Sequence, residues 1–334
     1  MTATITLAHG NGGALTRSLI CDVLAPLLAN PHLDVSRDAA ALSLTGDWMV
    51  TSDGFSVLPL EFPGGSIGTL AVYGTVNDLA VSGARARFMT LNLLIEEGFM
   101  LGDLQRLVAQ LAASAKACGV DVITGDTKVI PRTNSVPTLY MSVTGMGPRV
   151  AASSSLGLSR VQAGDAVIVS GGIGEHGTAV MLARAEFGVQ GSIQSDCGSV
   201  WPLVEKLLEF DGLRFMRDPT RGGLATLLHE VARGTGFGIR VREAAIPVCR
   251  QVRGLCELLG LDPLYLACEG RVVVICDSTE ASNILGVMKQ VEIAEGAALI
   301  GYLDKDIVDV VLETEFGGQR YLEELTDDPL PRIC

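Results

Sequence analysis

The chain predicts two α+β domains followed by an extended polar tail. Three observations carry that prediction. Its 334 residues correspond to about two domains at about 150 residues each. Strand and helix signals alternate through both halves, with a Ser/Ala/Gly stretch at 151–159 between them. From residue 323 onward apolar periodicity disappears.

Residues 1–35 form an N-terminal segment, with the glycine turn His9-Gly10-Asn11-Gly12-Gly13 and then a helix over 16–28. The first domain, 36–150, reads as strand 48–52, helix 67–82, strand 88–95, helix 101–118, and strands 120–124 and 138–145. In the second of these helices Leu104, Leu107, Val108 and Leu111 recur at helical spacing, and Gly119 closes it. The second domain, 151–322, reads as strand 166–170, helices 199–210 and 223–233, strand 271–276, helix 280–291, and strands 298–302 and 308–313. The tail, 323–334, contains Pro329 and Pro331, which remove donors and hold their predecessors extended. A polar terminus of this kind is expected to be mobile, and its twelve residues span up to roughly 40 Å. It ends on Cys334.

A net charge of −13 argues against nucleic-acid and anionic-membrane surfaces, which require basic patches. No apolar run approaches the ~18 residues of a membrane span, and the N-terminus lacks the basic and apolar regions of a signal peptide. The eight cysteines form no CxxC or zinc spacing. A reduced, cytoplasmic setting is expected.

Acidic residues recur beside Gly and Thr at strand ends and helix starts: Asp38, Asp53, Asp78, Asp126 and Asp218. Mg²⁺ takes carboxylate and phosphate oxygens, and such loops can converge to supply them. Taken singly, each acid is more simply read as an N-cap or turn residue. Asp78 is different, because it lies within a helix of apolar and small residues, where an unpaired carboxylate is costly. In Asp218-Pro219-Thr220-Arg221-Gly222-Gly223, Pro219 suits a first helical position, the following amides suit an anion, and Arg221 suits phosphate. The amides of Gly10, Gly12 and Gly13 suit phosphates too, although the turn is neither a Walker nor a Rossmann motif. Lys128 stands two positions after Asp126, so the two face one side of an extended segment. Glu269 ends the apolar run Leu264-Tyr-Leu-Ala-Cys-Glu, and partial burial there would raise its pKa toward proton transfer.

In order along the chain stand Thr51-Ser-Asp-Gly-Phe55, Phe62-Pro-Gly-Gly-Ser-Ile-Gly68, Gly74-Thr-Val-Asn-Asp-Leu-Ala80, Thr124-Gly-Asp-Thr-Lys-Val129, Gly174-Glu-His-Gly177, Ser195-Asp-Cys197, Arg217-Asp-Pro-Thr-Arg-Gly-Gly223, Leu261-Asp-Pro-Leu-Tyr-Leu-Ala-Cys-Glu-Gly270 and Pro331-Arg-Ile-Cys334. Together they resemble the HypE family of hydrogenase maturation proteins, over essentially the whole chain. That family lies within the superfamily of aminoimidazole ribonucleotide (AIR) synthetase and selenophosphate synthetase. Cys268 departs from the family pattern, where Asn is expected, and Asn11 stands where Ser is commoner.

The resemblance implies a PurM-like (AIR synthetase-like) α+β fold. Its N-terminal domain would pair into a β-barrel across a homodimer, with ATP bound between the domains. It implies metal ligation by Asp38, Asp53, Asp78 and Asp218. Nucleotide contacts would come from Gly10, Gly12, Gly13, Asp53, Asn77, Asp126, Thr220, Arg221, Gly222 and Gly223. It also implies that HypF places a carbamoyl group on Cys334 and that ATP with Mg²⁺ drives its dehydration to a thiocyanate. The cyanide would then pass to iron on the HypC–HypD complex. Lys128 or Glu269 handles the protons, and the residues alone leave that choice open. Two other readings remain: a different ATP-dependent synthetase of the superfamily, or a non-enzymatic scaffold that binds maturation partners.

Overall fold

The computed structural model describes residues 4–324, apart from 12, 38, 151–152, 154–155, 185–190 and 315. Gly12, Asp38 and Cys334 therefore lie outside the described residues.

The chain opens with a helical stretch, α1 (Ala14–Ser18), a π turn (Leu19–Leu24) and α2 (Ala25–Leu27), close to the helix expected at 16–28. The first domain is then built from β1 (Trp48–Phe55), a short hairpin β2–β3 (Glu61–Phe62 and Gly65–Ser66), α3 (Ile67–Val81), β4 (Phe88–Glu96), α4 (Leu101–Cys118), β5 (Asp121–Ile130) and β6 (Leu139–Pro148). Its four strands run in the order β1-β6-β4-β5, with β4 and β5 parallel and the other pairs antiparallel.

Helices α3 and α4 cover one face of this sheet. Alternate residues of β4 and β6 (Leu91, Leu93, Ile95, Leu139, Met141, Val143) point into that core. Ser66 caps α3 by accepting from the Thr69 amide. Helix α3 is apolar on nearly every side because it is buried on nearly every side. It lies on β1, β6 and α4, and it also reaches α6 and β8 of the second domain. Gly68 permits the close crossing with α4, since a Cβ there would stand 2.4 Å from the Leu107 carbonyl oxygen.

The second domain holds β7 (Ala166–Val169), α5 (Glu175–Ala183), α6 (Trp201–Leu207), β8 (Leu213–Arg217), α7 (Gly223–Thr235), β9 (Gly238–Arg242), α8 (Arg250–Leu259), β10 (Val273–Cys276), α9 (Ala281–Met288), β11 (Ala298–Asp304), β12 (Val310–Glu313) and β13 (Gln319–Tyr321). One sheet, ordered β13-β12-β9-β11-β7-β10-β8, joins all its strands. Helix α7 covers one face through Leu224, Leu227, Leu228 and Val231, while α6 and α9 cover the other. Central β7 and β10 are thus buried on both faces and read as continuous apolar runs.

The structure changes four expectations. The strand expected at 120–124 continues to Ile130, so Asp126 and Lys128 lie within β5. The helix expected at 199–210 is confined to Trp201–Leu207. Pro219 does not open a helix: Gly222 and Gly223 both have positive φ (68° and 60°), a break the chain must pass before α7 can run. Residues 323 and 324, expected in the tail, are tied to the second domain. Leu322 is buried, its carbonyl meets His229 Nε2 at 3.0 Å, Tyr265 donates to the Glu323 carbonyl at 2.6 Å, and Glu324 pairs with Arg233. Among the described residues no helix is long and apolar enough to cross a membrane.

Candidate active site between the two domains

The site begins on two elements of the first domain. On α3, Gly74, Asn77 and Asp78 stand at i, i+3 and i+4 and so share a face. On β1, the alternation that sends Phe55 into the core turns Thr51 and Asp53 to the same side. Thr51 donates to Asp78 Oδ2 at 2.8 Å. Burial raises Asp53 to about 6, and neighbouring Asp78 adds to the shift by charge and by a hydrogen bond, while the Arg221 guanidinium opposes it. Among the described residues, Asp53 Oδ2 is buried without a hydrogen-bond partner.

The second domain brings Asp218, which follows β8, against these acids. Burial and the charge of Asp78 push its carboxyl up to about 7. A cavity of about 330 Å³ opens here, with Met49, Thr51, Asp78, Phe215, Arg217 and Asp218 in its wall. The Cys268 amide donates to the Pro219 carbonyl at 3.0 Å, tying the Asp218 segment to the segment that carries Glu269. Gly223 packs so closely on that segment that a Cβ would stand 2.6 Å from the Leu264 and Leu266 carbonyl oxygens. Glu269 is buried, and burial together with Asp218, Asp196, Asp78 and Asp53 raises its pKa well above the usual carboxyl range. Its Oε2 faces Gly74, 3.9 Å from where a Cβ would sit.

Among the described residues no three His, Cys, Asp or Glu side chains converge as a ready-made metal cage. The donor set nevertheless fits Mg²⁺, which is held by one or two carboxylates together with phosphate oxygens. Asp53, Asp78 and Asp218 are hard oxygen donors, Asp53 and Asp218 are held at raised pKa by burial and by neighbouring acids, and Asp53 has an orphaned oxygen among the described residues. A cation would relieve all of these strains.

The remaining expected residues form a second group at the other edge of the first sheet. Asp126 and Lys128 pair at 3.1 Å on β5, as their spacing predicts. With Gly10 and Thr16 they line a cavity of about 260 Å³ under α1 and α2. Gly10 sits against β5, where a Cβ would stand 2.7 Å from the Val129 nitrogen, and Gly13 leads into α1. Edge strands β1 and β5 are three strand spacings apart, roughly 14 Å. Within one chain, Lys128 is therefore not brought to Glu269. Thr220, Arg221 and Gly222 lie beside Asp218 in the turn before α7.

Asn77, expected among the nucleotide contacts, is buried and uses its amide on backbone groups at 198, 200 and 269. Sequence reasoning assigned no role to Asp196, although it lies in the quoted Ser195-Asp-Cys197 motif. Its carboxylate accepts from the Glu269 and Gly270 amides at 3.1 and 3.3 Å and faces Arg271 at 3.5 Å. The only signal available was an acid within a glycine- and serine-rich loop.

The fold and the interdomain acids define a two-domain protein of the AIR synthase class. Residues 36–147 match the family described as AIR synthase related protein, N-terminal domain, and residues 162–312 match its C-terminal domain. The chain is 40% identical over 339 residues to the carbamoyl dehydratase HypE of Escherichia coli (strain K12), covering 99% of both chains. A crystal structure of hydrogenase maturation protein HypE in complex with ATP superposes with a TM-score of 0.93 at 40% identity, covering 99% of this chain and 100% of that one. A HypE–HypF complex structure matches with a TM-score of 0.80 at 38% identity, covering 94% and 100%. The chain belongs to the HypE family of carbamoyl dehydratases that act in hydrogenase maturation.

Proposed function

We propose that this chain accepts a carbamoyl group on Cys334 and, with ATP, dehydrates it to a thiocyanate, the precursor of a cyanide ligand for [NiFe] hydrogenase. The observation that carries this reading is the meeting of Asp53, Asp78, Asp218 and Glu269 where the two domains join, with the carboxyls of Asp53, Asp218 and Glu269 pushed up by burial and by neighbouring acids. Such a group suits a polyphosphate with its cation and, beside it, a carboxyl able to exchange a proton.

Hydroxide is a poor leaving group from the carbamoyl carbon, and phosphate is a good one. The γ-phosphoryl passes from ATP to the carbamoyl oxygen, and ADP leaves. Loss of one N–H proton gives the imidate. Removal of the second, with cleavage of the C–O bond, gives S–C≡N and phosphate. Asp53, Asp78 and Asp218 would hold Mg²⁺, which supplies charge neutralisation on the phosphates. Arg221 orients the phosphates. Glu269 is the buried carboxyl best placed to move the N–H protons. Lys128 acts on the nucleotide from the β5 edge.

The relative's complex supports HypF as a partner, which in this reading delivers the carbamoyl group, and the HypC–HypD complex would accept the cyanide on its iron. A homodimer fits the two unpaired sheet edges β1 and β5. The free thiols of the described cysteines fit a reduced, cytoplasmic setting. The test uses carbamoyl phosphate labelled with heavy oxygen on its carbonyl, together with HypF and ATP. The label should appear in inorganic phosphate. Label retained on the protein while ADP forms would contradict phosphoryl activation.

A further inference from the structure

The buried carboxyl of Glu269 is at the site because its backbone is held there, and the holding groups come from both domains. On one side, Asn77 of α3 donates from Nδ2 to the Glu269 carbonyl at 3.0 Å. The same nitrogen donates to the Gly198 carbonyl at 2.9 Å, and Oδ1 accepts from the Val200 amide at 2.9 Å. On the other side, Asp196 accepts the amides of Glu269 and Gly270. Gly270 makes this fit possible, since a Cβ there would stand 1.9 Å from the Asp196 carbonyl oxygen. Arg271 anchors Asp196 in turn and is itself fixed by Glu175 at 2.5 Å and by the carbonyls of Gly172 and Ile293. Asn77 precedes Asp78, so one turn of α3 fixes the metal-side acid and the proton-handling acid together.

We infer that Asn77 and Asp196 are positioning residues, a bracket across the domain interface that sets where the Glu269 carboxyl stands relative to Asp78. The inference rests on the proposed dehydration for its kinetic consequence and on geometry alone for its structural one. A buried side-chain amide with every polar atom engaged by backbone has nothing left for a nucleotide. Removing it should leave nucleotide binding intact and impair the proton step.

The test compares wild type with Asn77→Ala, and with Asp196→Asn as a second variant of conserved size should the first not fold. Two readouts are taken. In hydrogen exchange, the amides of Glu269 and Gly270 should exchange about ten-fold faster or more in the variant, while those of β7 and β10 stay protected. In single-turnover water loss from protein preloaded with the carbamoyl group, the rate at saturating ATP should fall about ten-fold or more, as small misplacements do. The KM for ATP should stay within about two-fold. Unchanged exchange at 269–270 in the folded variants overturns the bracket. So does a loss expressed in the KM for ATP with the saturated rate intact, which would make Asn77 a nucleotide contact. If wild type itself loses no water, the functional reading fails, and the exchange measurement still decides the bracket.

Discussion

Asp53 and Asp218 titrate near neutrality because each is pressed into a site with other acids and little water. Both folded pKa values lie above the ordinary 3.8. Their protonated forms therefore stabilise the fold, fully below that value, and this contribution is lost as pH rises through about 6 and about 7. The ligand-free protein should melt at progressively lower temperature as pH rises across that window. Asp218→Asn should flatten the slope and raise Tm at the alkaline end by roughly 2–4 °C or more. Thermal melts across pH check this, and a variant with lower Tm there would contradict it. Mg²⁺ with ATP should flatten the wild-type slope in the same way. At this scale the sequence was informative wherever a residue was chemically out of place, as Asp78 is in an apolar helix. It was silent on Asn77 and Asp196, whose partners are backbone groups more than 70 positions away and leave no local pattern.

Elements were legible where periodicity was strong, as in α4, or where an apolar run was long, as in α3 and β4, and less so where turn chemistry misled. Thr124-Gly-Asp-Thr reads as the end of a strand, yet β5 stays paired with β4 through Ile130. Gly125 is needed there for close approach rather than for a turn, because a Cβ would stand 1.9 Å from the Leu91 carbonyl oxygen. The tail is the other case. Its first two residues are pinned to Tyr265 and Arg233, and the ten residues 325–334 that follow could span at most roughly 33–36 Å. From Arg233 back to the start of α7 is roughly 15 Å. Deleting 325–328 leaves roughly 20–22 Å, enough to span α7, whereas deleting 325–330 leaves roughly 13–14 Å. Water loss from the carbamoylated chain should survive the first deletion and fail in the second while loading by HypF continues in both. Equal loss in both deletions would contradict a reach limit.

At the scale of the molecule, the two-domain α+β plan was visible in the alternation of strands and helices, and its common core was not. Ala80 and Val81 of α3 pack into the second domain, and Val180 and Ala267 pack into the first. The open face of the first sheet exposes Val50 (65%) and Leu94 (37%), and among the described residues no further strand pairs with its edges. If the proposed homodimer forms through this face, Val50→Lys should convert it to a monomer in light scattering and lower turnover at least about ten-fold. An unchanged dimer would place the interface elsewhere. The central claim, that Cys334 carries the group this site dehydrates, is tested most directly by the intact mass of the protein after incubation with HypF, carbamoyl phosphate and ATP. Wild type should gain a carbamoyl adduct and then lose one water. Glu269→Gln should gain the adduct and keep it, and Cys334→Ala should gain nothing. The same adduct and the same water loss on Cys334→Ala would contradict the claim.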